Sequence, residues 1–424
     1  MYYYISFLKP PPIQATLSSS ILITPQIAND LRTESFQTEM DLFYSWYPVD
    51  PNSRTAKPTK PIKLTTYRPE NAYKEMKLTF PSGNRDVQAW RLVLTADSER
   101  TFIDLDSGLD DTLGRALPFP VMSMPISATK NAGKDTGKKK QESIERLYRL
   151  GRFDDENTLL LRIMEQTAFD LDKKIWDSGI GLASWLVSFA KSNLNMEGEI
   201  ASSNSLLNTL QQALFSPSRR IIELGAGTGM VSLTLGALRS ATVSPKSSSP
   251  SAVDRISHSP AESETTEEDK GCIITTDLPS AMPLLEQNIS LNRHLFSNLS
   301  TRPRPEILDW DKELPEYTQE LQENLDAIVM ADVTYNTSSF PALIRTLSNL
   351  INLNPPSLPP PIILLGYKER DSAERTLWDM AANIEDGAGI RFNRVGERWG
   401  FGGADGGEGG RSPVEIWIGE VFRK

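Results

Sequence analysis

The sequence predicts an α/β fold: a mostly parallel seven-stranded sheet covered by helices and closed by an antiparallel C-terminal hairpin, with a small β-rich module in front of it. Three observations predict it. After residue 219, apolar strands alternate with helical repeats, the pattern of a parallel sheet covered on both faces. The stretch "RRIIELGAGTGMVSL" (residues 219–233) carries one such strand through three alternating glycines into a helix, the arrangement of a general nucleotide-type site. Residues 1–125 instead read as short strands and loops broken by Pro, Gly, Asn and Asp.

In chain order, "MYYYISFL" reads as a first strand. It is about eight residues long, follows no basic segment and meets "KPPP", so neither a signal peptide nor a spanning helix is expected. "EMKLTF", "QAWRLVLTA" and "RTFIDLD" supply further strands. Residues 126–142, with "KNAGKDTGKKK", read as a basic, solvated linker. From residue 143 the reading is helical, because "ESIERLYRLGRF" and "NTLLLRIMEQTAFDLD" place apolar residues at three- and four-residue spacings. "KIWDSGIGLASWLVSFAK" is a further helix, capped by Asp177 or Ser178, with Ile180, Leu182, Ala183, Leu186 and Val187 as its buried stripe.

Five strands then alternate with helices: "IIELGAG", "CIITTDL", "PEILDWD", "LDAIVMADV" and "PIILLGYKE". "GIRFNRVGER" and "SPVEIWIGEVF" form the closing hairpin. Residues 240–270 break this rhythm. Their nine serines, several prolines and "ESETTEEDK" cannot bury enough apolar area to offset chain entropy, so they read as a disordered surface insertion in a domain spanning 143–424.

Composition excludes several chemistries. One cysteine, Cys272, allows no intrachain disulfide and points to a reducing intracellular compartment. Two histidines, His258 and His294, leave almost no material for a zinc cluster or a histidine-based triad, so no metal is expected. A net charge of −10 argues against a broad nucleic-acid surface.

The glycine turn discriminates among ligands. A Walker loop would need a lysine after its glycines, and none follows. The dinucleotide fingerprint fits Gly225 and Gly227, but its sixth position is Met230 and Gly229 falls one place early. Glu223, two residues before the first glycine, would repel a pyrophosphate and favour a ligand bearing ammonium and sulfonium charges. Asp277 lies 52 residues after Gly225; without the 31 residues of the insertion that distance is 21, close to the roughly 20 usual for a ribose-binding acid. S-adenosylmethionine carries both cationic groups and no phosphate. A dinucleotide oxidoreductase is the distant alternative.

"ELGAGTG" resembles the first motif of the Rossmann-like seven-strand methyltransferases. With "KKIWDSGIGLASWL", "TTDLPSAMPLLEQNISLN", "DWDKELP" and "DAIVMADVTYNTSSFPALIRTL" in this order, the chain over about 170–424 resembles family 16 of the protein-lysine methyltransferases, of the nicotinamide N-methyltransferase-like type and of fungal character. The resemblance implies that Trp176 packs on the cofactor and that Gly225, Ala226 and Gly227 cradle it. Asp277 would bind the ribose hydroxyls, Leu278 and Trp310 would flank the adenine, and Ala331 would begin the pocket wall. Asp332 and Tyr335 form a D-x-x-Y motif that would orient the acceptor amine. This chain has "WD" where "WG" is frequent after the third strand.

The resulting expectation is methyl transfer from S-adenosylmethionine to the lysine of a protein substrate, by a monomeric intracellular protein of the cytoplasm and nucleus. Small-molecule N-methylation and a cofactor-binding scaffold without turnover stay as alternatives. "LNPPS" tempts comparison with the N-P-P-Y motif of nucleic-acid methyltransferases, but it follows a helix and reads as a connector.

Overall fold

The computed structural model describes residues 1–49, 58–81, 88–106, 117–129, 138–152, 158–168, 170–194, 205–243, 271–384, 388–400 and 412–423. Twelve strands precede the first α-helix among the described residues. They are β1 (Tyr4–Lys9), β2 (Gln14–Thr16), β3 (Ser20–Ala28), β4 (Met40–Val49), β5 (Ile62–Tyr67), β6 (Met76–Thr79), β7 (Ala89–Thr95), β8 (Ile103–Asp104), β9 (Val121–Ser123), β10 (Ile126–Thr129), β11 (Ser143–Arg152) and β12 (Thr158–Gln166). β1, β3 and β6 form a small antiparallel sheet. The others form a second sheet, ordered β12-β11-β9-β7-β10-β2, with β4 and β5 attached through β7 and β8 through β11. Ile5, Ile23, Leu42, Trp46, Phe80 and Leu92 are buried in one apolar cluster of this β-rich part.

The helical reading of residues 143–166 is wrong: β11 and β12 are long antiparallel partners, Ile144 facing Glu165 and Tyr148 facing Leu161. Their buried face does alternate, through Ile144, Arg146, Tyr148 and Leu150 on one strand and Leu161, Ile163 and Glu165 on the other. Arg146 and Glu165 occupy inward positions that an apolar residue would normally fill. Arg146 Nε donates to Glu165 Oε1 at 2.7 Å, and its Nη1 donates to the carbonyl oxygens of Phe119 and Pro120. A charged pair hydrogen-bonded in this way is tolerable inside a core and hides the two-residue period from an apolar count.

Of the segment read as a linker, Ile126–Thr129 is β10, and Gln141 is buried and donates to the Met124 carbonyl at 2.9 Å. Residues 130–137 lie outside the described residues.

The second half follows as α1 (Asp177–Leu194), α2 (Ser205–Phe215), β13 (Arg220–Leu224), α3 (Met230–Val243), β14 (Cys272–Asp277), α4 (Met282–Leu291), β15 (Arg304–Ile307), β16 (Leu325–Ala331), α5 (Phe340–Ile351), β17 (Ile362–Lys368), α6 (Thr376–Ala382), β18 (Ala388–Arg398) and β19 (Val414–Arg423). The sheet order is β15-β14-β13-β16-β17-β19-β18. Its first five strands are parallel, and β19 is antiparallel to both neighbours. The hairpin thus inserts its second strand next to β17. The order reverses between β13 and β16, which puts the crevice at the carboxyl ends of those strands. The helix α2 had no counterpart in the sequence reading. The segment read as a disordered insertion begins inside α3, which runs to Val243, and its residues 244–270 lie outside the described residues.

The two halves share a core. Tyr4, Leu105, Tyr148 and Ile163 belong to the same buried cluster as Ile180, Leu186 and Val187 of α1 and Leu364 of β17. The free edge of β12 is closed by two buried asparagines one turn apart, Asn288 on α4 and Asn292 at its C-terminal cap. Asn288 Oδ1 accepts from Met164 N at 2.8 Å and Asn292 Oδ1 from Arg162 N at 2.9 Å, while their amide groups donate to the same residues' carbonyls. Side-chain amides standing in for a neighbouring strand satisfy an edge that would otherwise bind another chain. No helix among the described residues is long and apolar enough to cross a membrane.

Candidate active site

β13 delivers its chain into the crevice at Leu224, and the turn that follows is left-handed at each glycine: φ is +67° at Gly225, +54° at Gly227 and +80° at Gly229. Space is tight at two of them as well. A Cβ on Gly225 would stand 3.0 Å from Val333 Cγ1, and one on Gly229 would stand 2.6 Å from Leu285 Cδ1. The glycines therefore serve two separate needs: close approach at the ligand side, and packing of α3 on α4. Met230 then opens α3, buried behind the turn.

Two carboxylates flank the turn. Glu223, near the end of β13, is buried, and Thr275 Oγ1 donates to its Oε2 at 2.7 Å. Burial pushes this carboxyl up to about 7, against the downward pull of the Thr275 and Ser232 hydrogen bonds. Asp277 ends β14, where its Oδ2 accepts from Gly227 N at 2.6 Å and its Oδ1 from Leu278 N at 2.7 Å. Burial pushes Asp277 up as well. Each of its oxygens keeps a lone pair free for a ligand hydroxyl.

The turn opens on a cavity of about 550 Å³. Every residue picked from the sequence lines it: Trp176, Glu223, Gly225, Ala226, Gly227, Asp277, Leu278, Trp310, Ala331, Asp332 and Tyr335. Leu278 is an exposed rim residue, and the Trp310 ring lies beside Gly225. Trp176 fixes its indole by donating Nε1–H to the Leu171 carbonyl at 2.8 Å. Lys174 stacks its ammonium on that ring at 5.2 Å and donates to the Asp30 carbonyl at 2.6 Å; burial brings Lys174 down to about 8.

Asp332 follows β16 with φ of +60°, a sparsely populated region for a residue with a Cβ, held by the backbone bond from its N–H to the Gly366 carbonyl. Its carboxylate is bound by Arg370, which sequence reasoning missed. Arg370 also donates to Asp30 Oδ2 at 2.9 Å and lies over the Trp176 ring at 5.6 Å. Behind it, Lys368 Nζ donates to Asp177 Oδ2 at 2.6 Å, and Tyr4 Oη donates to Asp177 Oδ1 at 2.6 Å.

Asp177 and Ser178 had been expected to cap α1. The Asp177 carboxylate accepts instead from Tyr4 and Lys368, and Ser178 Oγ reaches the site, donating to Asp332 Oδ1 at 3.2 Å. Lys368 and Arg370 could have been suspected from their place at the carboxyl end of β17. Asp30, in the loop after β3, carries no sequence signal pointing here. Tyr335 is 56% exposed at the cavity rim, and desolvation of its hydroxyl, with the Asp277 and Asp332 charges, raises its pKa.

A glycine turn at the switch point of a doubly wound sheet, with acids at the ends of two adjacent parallel strands, defines a protein that binds a nucleoside-bearing ligand. The profile of the lysine methyltransferase family matches residues 155–248 and 262–383, just over half of the sequence, and the chain belongs to that family. It is similar to protein-lysine N-methyltransferase EFM6 of Saccharomyces cerevisiae, at 27% identity over 162 residues, 37% of this chain and 52% of that protein. It is also similar to a UPF0665 family protein of Schizosaccharomyces pombe, at 26% over 216 residues, 51% and 48% of the two chains. EEF1A lysine methyltransferase 3 of Xenopus tropicalis matches at 25% over 142 residues, 33% and 45% of the two. The chain spans about half the length of the curated relatives it matches.

Proposed function

We propose that this chain is an S-adenosylmethionine-dependent methyltransferase acting on a lysine side chain of a protein. The observation that carries the reading is that one cavity is lined by Glu223, Asp277, Asp332 and Tyr335 together. The residues fit the cofactor. The Gly225–Ala226–Gly227 backbone offers a surface without long side chains, and Asp277 has one lone pair left on each oxygen for the two ribose hydroxyls. Leu278 and Trp310 give the adenine apolar and aromatic walls, Ala331 keeps the opposite wall low, and Trp176 packs beside the methionine part. Glu223 supplies the anion that an ammonium group prefers.

When bound, S-adenosylmethionine supplies a methyl group activated by its sulfonium. The protein has to orient a neutral amine on the axis of the breaking bond. A lysine in water has a pKa of about 10.4, so the neutral form is scarce at pH 7. Arg370, a fixed cation against Asp332, lowers the affinity of the site for an ammonium relative to an amine. Asp332, held by Arg370 and Ser178, acts as an oriented hydrogen-bond acceptor for the amine, and the Tyr335 hydroxyl closes the rim beside it.

We place the division between the β-rich module and the methyltransferase domain after Gln166, and assign to the module a part in choosing the protein substrate. We take the protein to be a monomer of the intracellular space, the natural compartment for a lone thiol such as Cys272.

Calorimetry with S-adenosylhomocysteine and with NAD tests the cofactor: binding of the first and not the second is expected, and the reverse overturns the reading. Incubation with labelled S-adenosylmethionine and extract from cells lacking the gene, followed by mass spectrometry, tests the acceptor. Labelled lysine in a discrete protein band is expected; label found only in small molecules overturns the protein-lysine assignment.

A further inference from the structure

We propose that the acceptor lysine enters through a narrow compartment walled in part by Leu31, so that this residue of the N-terminal module determines which lysines are admitted. The proposal rests on the lysine reading above.

A second cavity of about 60 Å³ adjoins the first, lined by Leu31, Leu171, Trp176, Asp332, Tyr335 and Arg370. Four of these, Leu171, Trp176, Asp332 and Tyr335, also line the 550 Å³ cavity, so the two spaces share a wall. Leu171 is 48% exposed and Tyr335 56%, which puts the compartment at the surface of the molecule. Its chemistry is graded. Leu31, Leu171 and the Trp176 and Tyr335 rings are apolar, whereas Asp332 and Arg370 bring paired charges to the same compartment. A lysine side chain has the same division, a four-carbon stem and a polar head. Small polar acceptors have no stem to bury against Leu31.

Leu31 is held in place by its own loop. Leu31 N donates to Asp30 Oδ1 at 3.0 Å, and Asn29 Oδ1 accepts from the backbone of Thr33 and Glu34 at 2.9 and 3.1 Å. Asp30 then ties the loop to the catalytic half through Arg370 and Lys174. A wall on a tethered backbone discriminates by shape, because moving the loop aside for a larger occupant strains these bonds.

The test uses the full chain with Leu31→Trp, which fills the compartment, and Leu31→Ala, which widens it. S-adenosylhomocysteine affinity, tritium transfer from S-adenosylmethionine to lysines of extract proteins, and thermal unfolding are read for each. The Trp variant is expected to lose about tenfold or more in lysine labelling, with cofactor affinity within about twofold of wild type. The Ala variant is expected to label a wider set of proteins. Undiminished labelling by the Trp variant overturns the proposal, and so does a matching fall in cofactor affinity, which would give the compartment to the cofactor. Leu31→Phe carries the same test if the Trp variant unfolds early. A wild type that binds S-adenosylhomocysteine but labels no lysine overturns the lysine reading itself and this route with it, an outcome distinct from either variant result.

Discussion

Arg370 grips Asp332 through both carboxylate oxygens, Nη2 to Oδ2 at 2.8 Å and Nη1 to Oδ1. The Asp332 carboxylate therefore meets any acceptor already paired, with Ser178 Oγ on Oδ1 as a third partner. A carboxylate so engaged is a poor general base and a good fixed acceptor, because its orientation is set before the substrate arrives.

Asp332→Asn keeps the size and one acceptor oxygen but removes the charge that Arg370 faces. Turnover is expected to fall about tenfold or more, since the amide presents its donor or its acceptor, not two equivalent oxygens. Cofactor affinity should stay within about twofold, because Glu223 and Asp277 are untouched. Steady-state rates with calorimetry on the same preparation check this; wild-type turnover would remove Asp332 from the reaction.

Glu223 gives the protein a pH dependence of definite sign. Burial sets its carboxyl at about 7, above the ordinary 4.5. Between those values the folded chain keeps a proton that the unfolded chain has released, so stability falls as pH rises from about 4.5 to 7 and is level above. The amplitude is on the order of 3 kcal/mol. Urea unfolding across that range should show the decline in wild type and its absence in Glu223→Gln. A ligand ammonium beside Glu223 favours the carboxylate, so S-adenosylhomocysteine, through its amino group, should bind more tightly as pH rises toward 7 and release protons near pH 6. Equal proton release by wild type and the Gln variant, titrated in buffers of different ionisation heat, would contradict the pairing.

Asp277→Ala is expected to weaken S-adenosylhomocysteine binding by about a hundredfold, the loss of two charge-assisted hydrogen bonds of about 1.5 kcal/mol each. It also strips the partners from Gly227 N and Leu278 N, so a modest fall in thermal stability should accompany it. Calorimetry that returned wild-type affinity would place the ribose elsewhere.

Much of this site is written in local sequence, and what is missing from it has a physical reason. The glycine turn, Asp277 and the D-x-x-Y motif sit at ends of strands whose apolar runs are unambiguous, and all converge on one cavity. The strands β11 and β12 were misread because Arg146 and Glu165 replace apolar residues on the buried face while Leu147 and Leu160 add apolar residues off it. That left three- and four-residue spacings as the stronger apparent period. Arg370 and Asp30 are 340 residues apart in the chain, and only folding reveals that one completes the other.

That last pair also joins the two halves of the molecule, and its strength can be measured. The Asp30 side chain is fully buried and Arg370 is 14% exposed, so solvent does little to screen them. Asp30→Ala leaves Arg370 with Asp332 alone and takes from Lys368 a partner 3.6 Å away. Arg370→Met leaves Asp332 and Asp30 without their shared cation. Arg370→Met should cost about 3–5 kcal/mol, the usual penalty for leaving a buried charge uncompensated, and Asp30→Ala less, because Arg370 keeps Asp332 and Lys368 keeps Asp177. The double variant should cost less than the two added together, with a coupling of about 1–3 kcal/mol. Urea unfolding of the four proteins gives the cycle. Simple additivity would mean that Asp30 and Arg370 act independently, and the N-terminal loop would then be held at the site by its other partners, Lys174, Lys368 and the Asp177 N–H, and by packing.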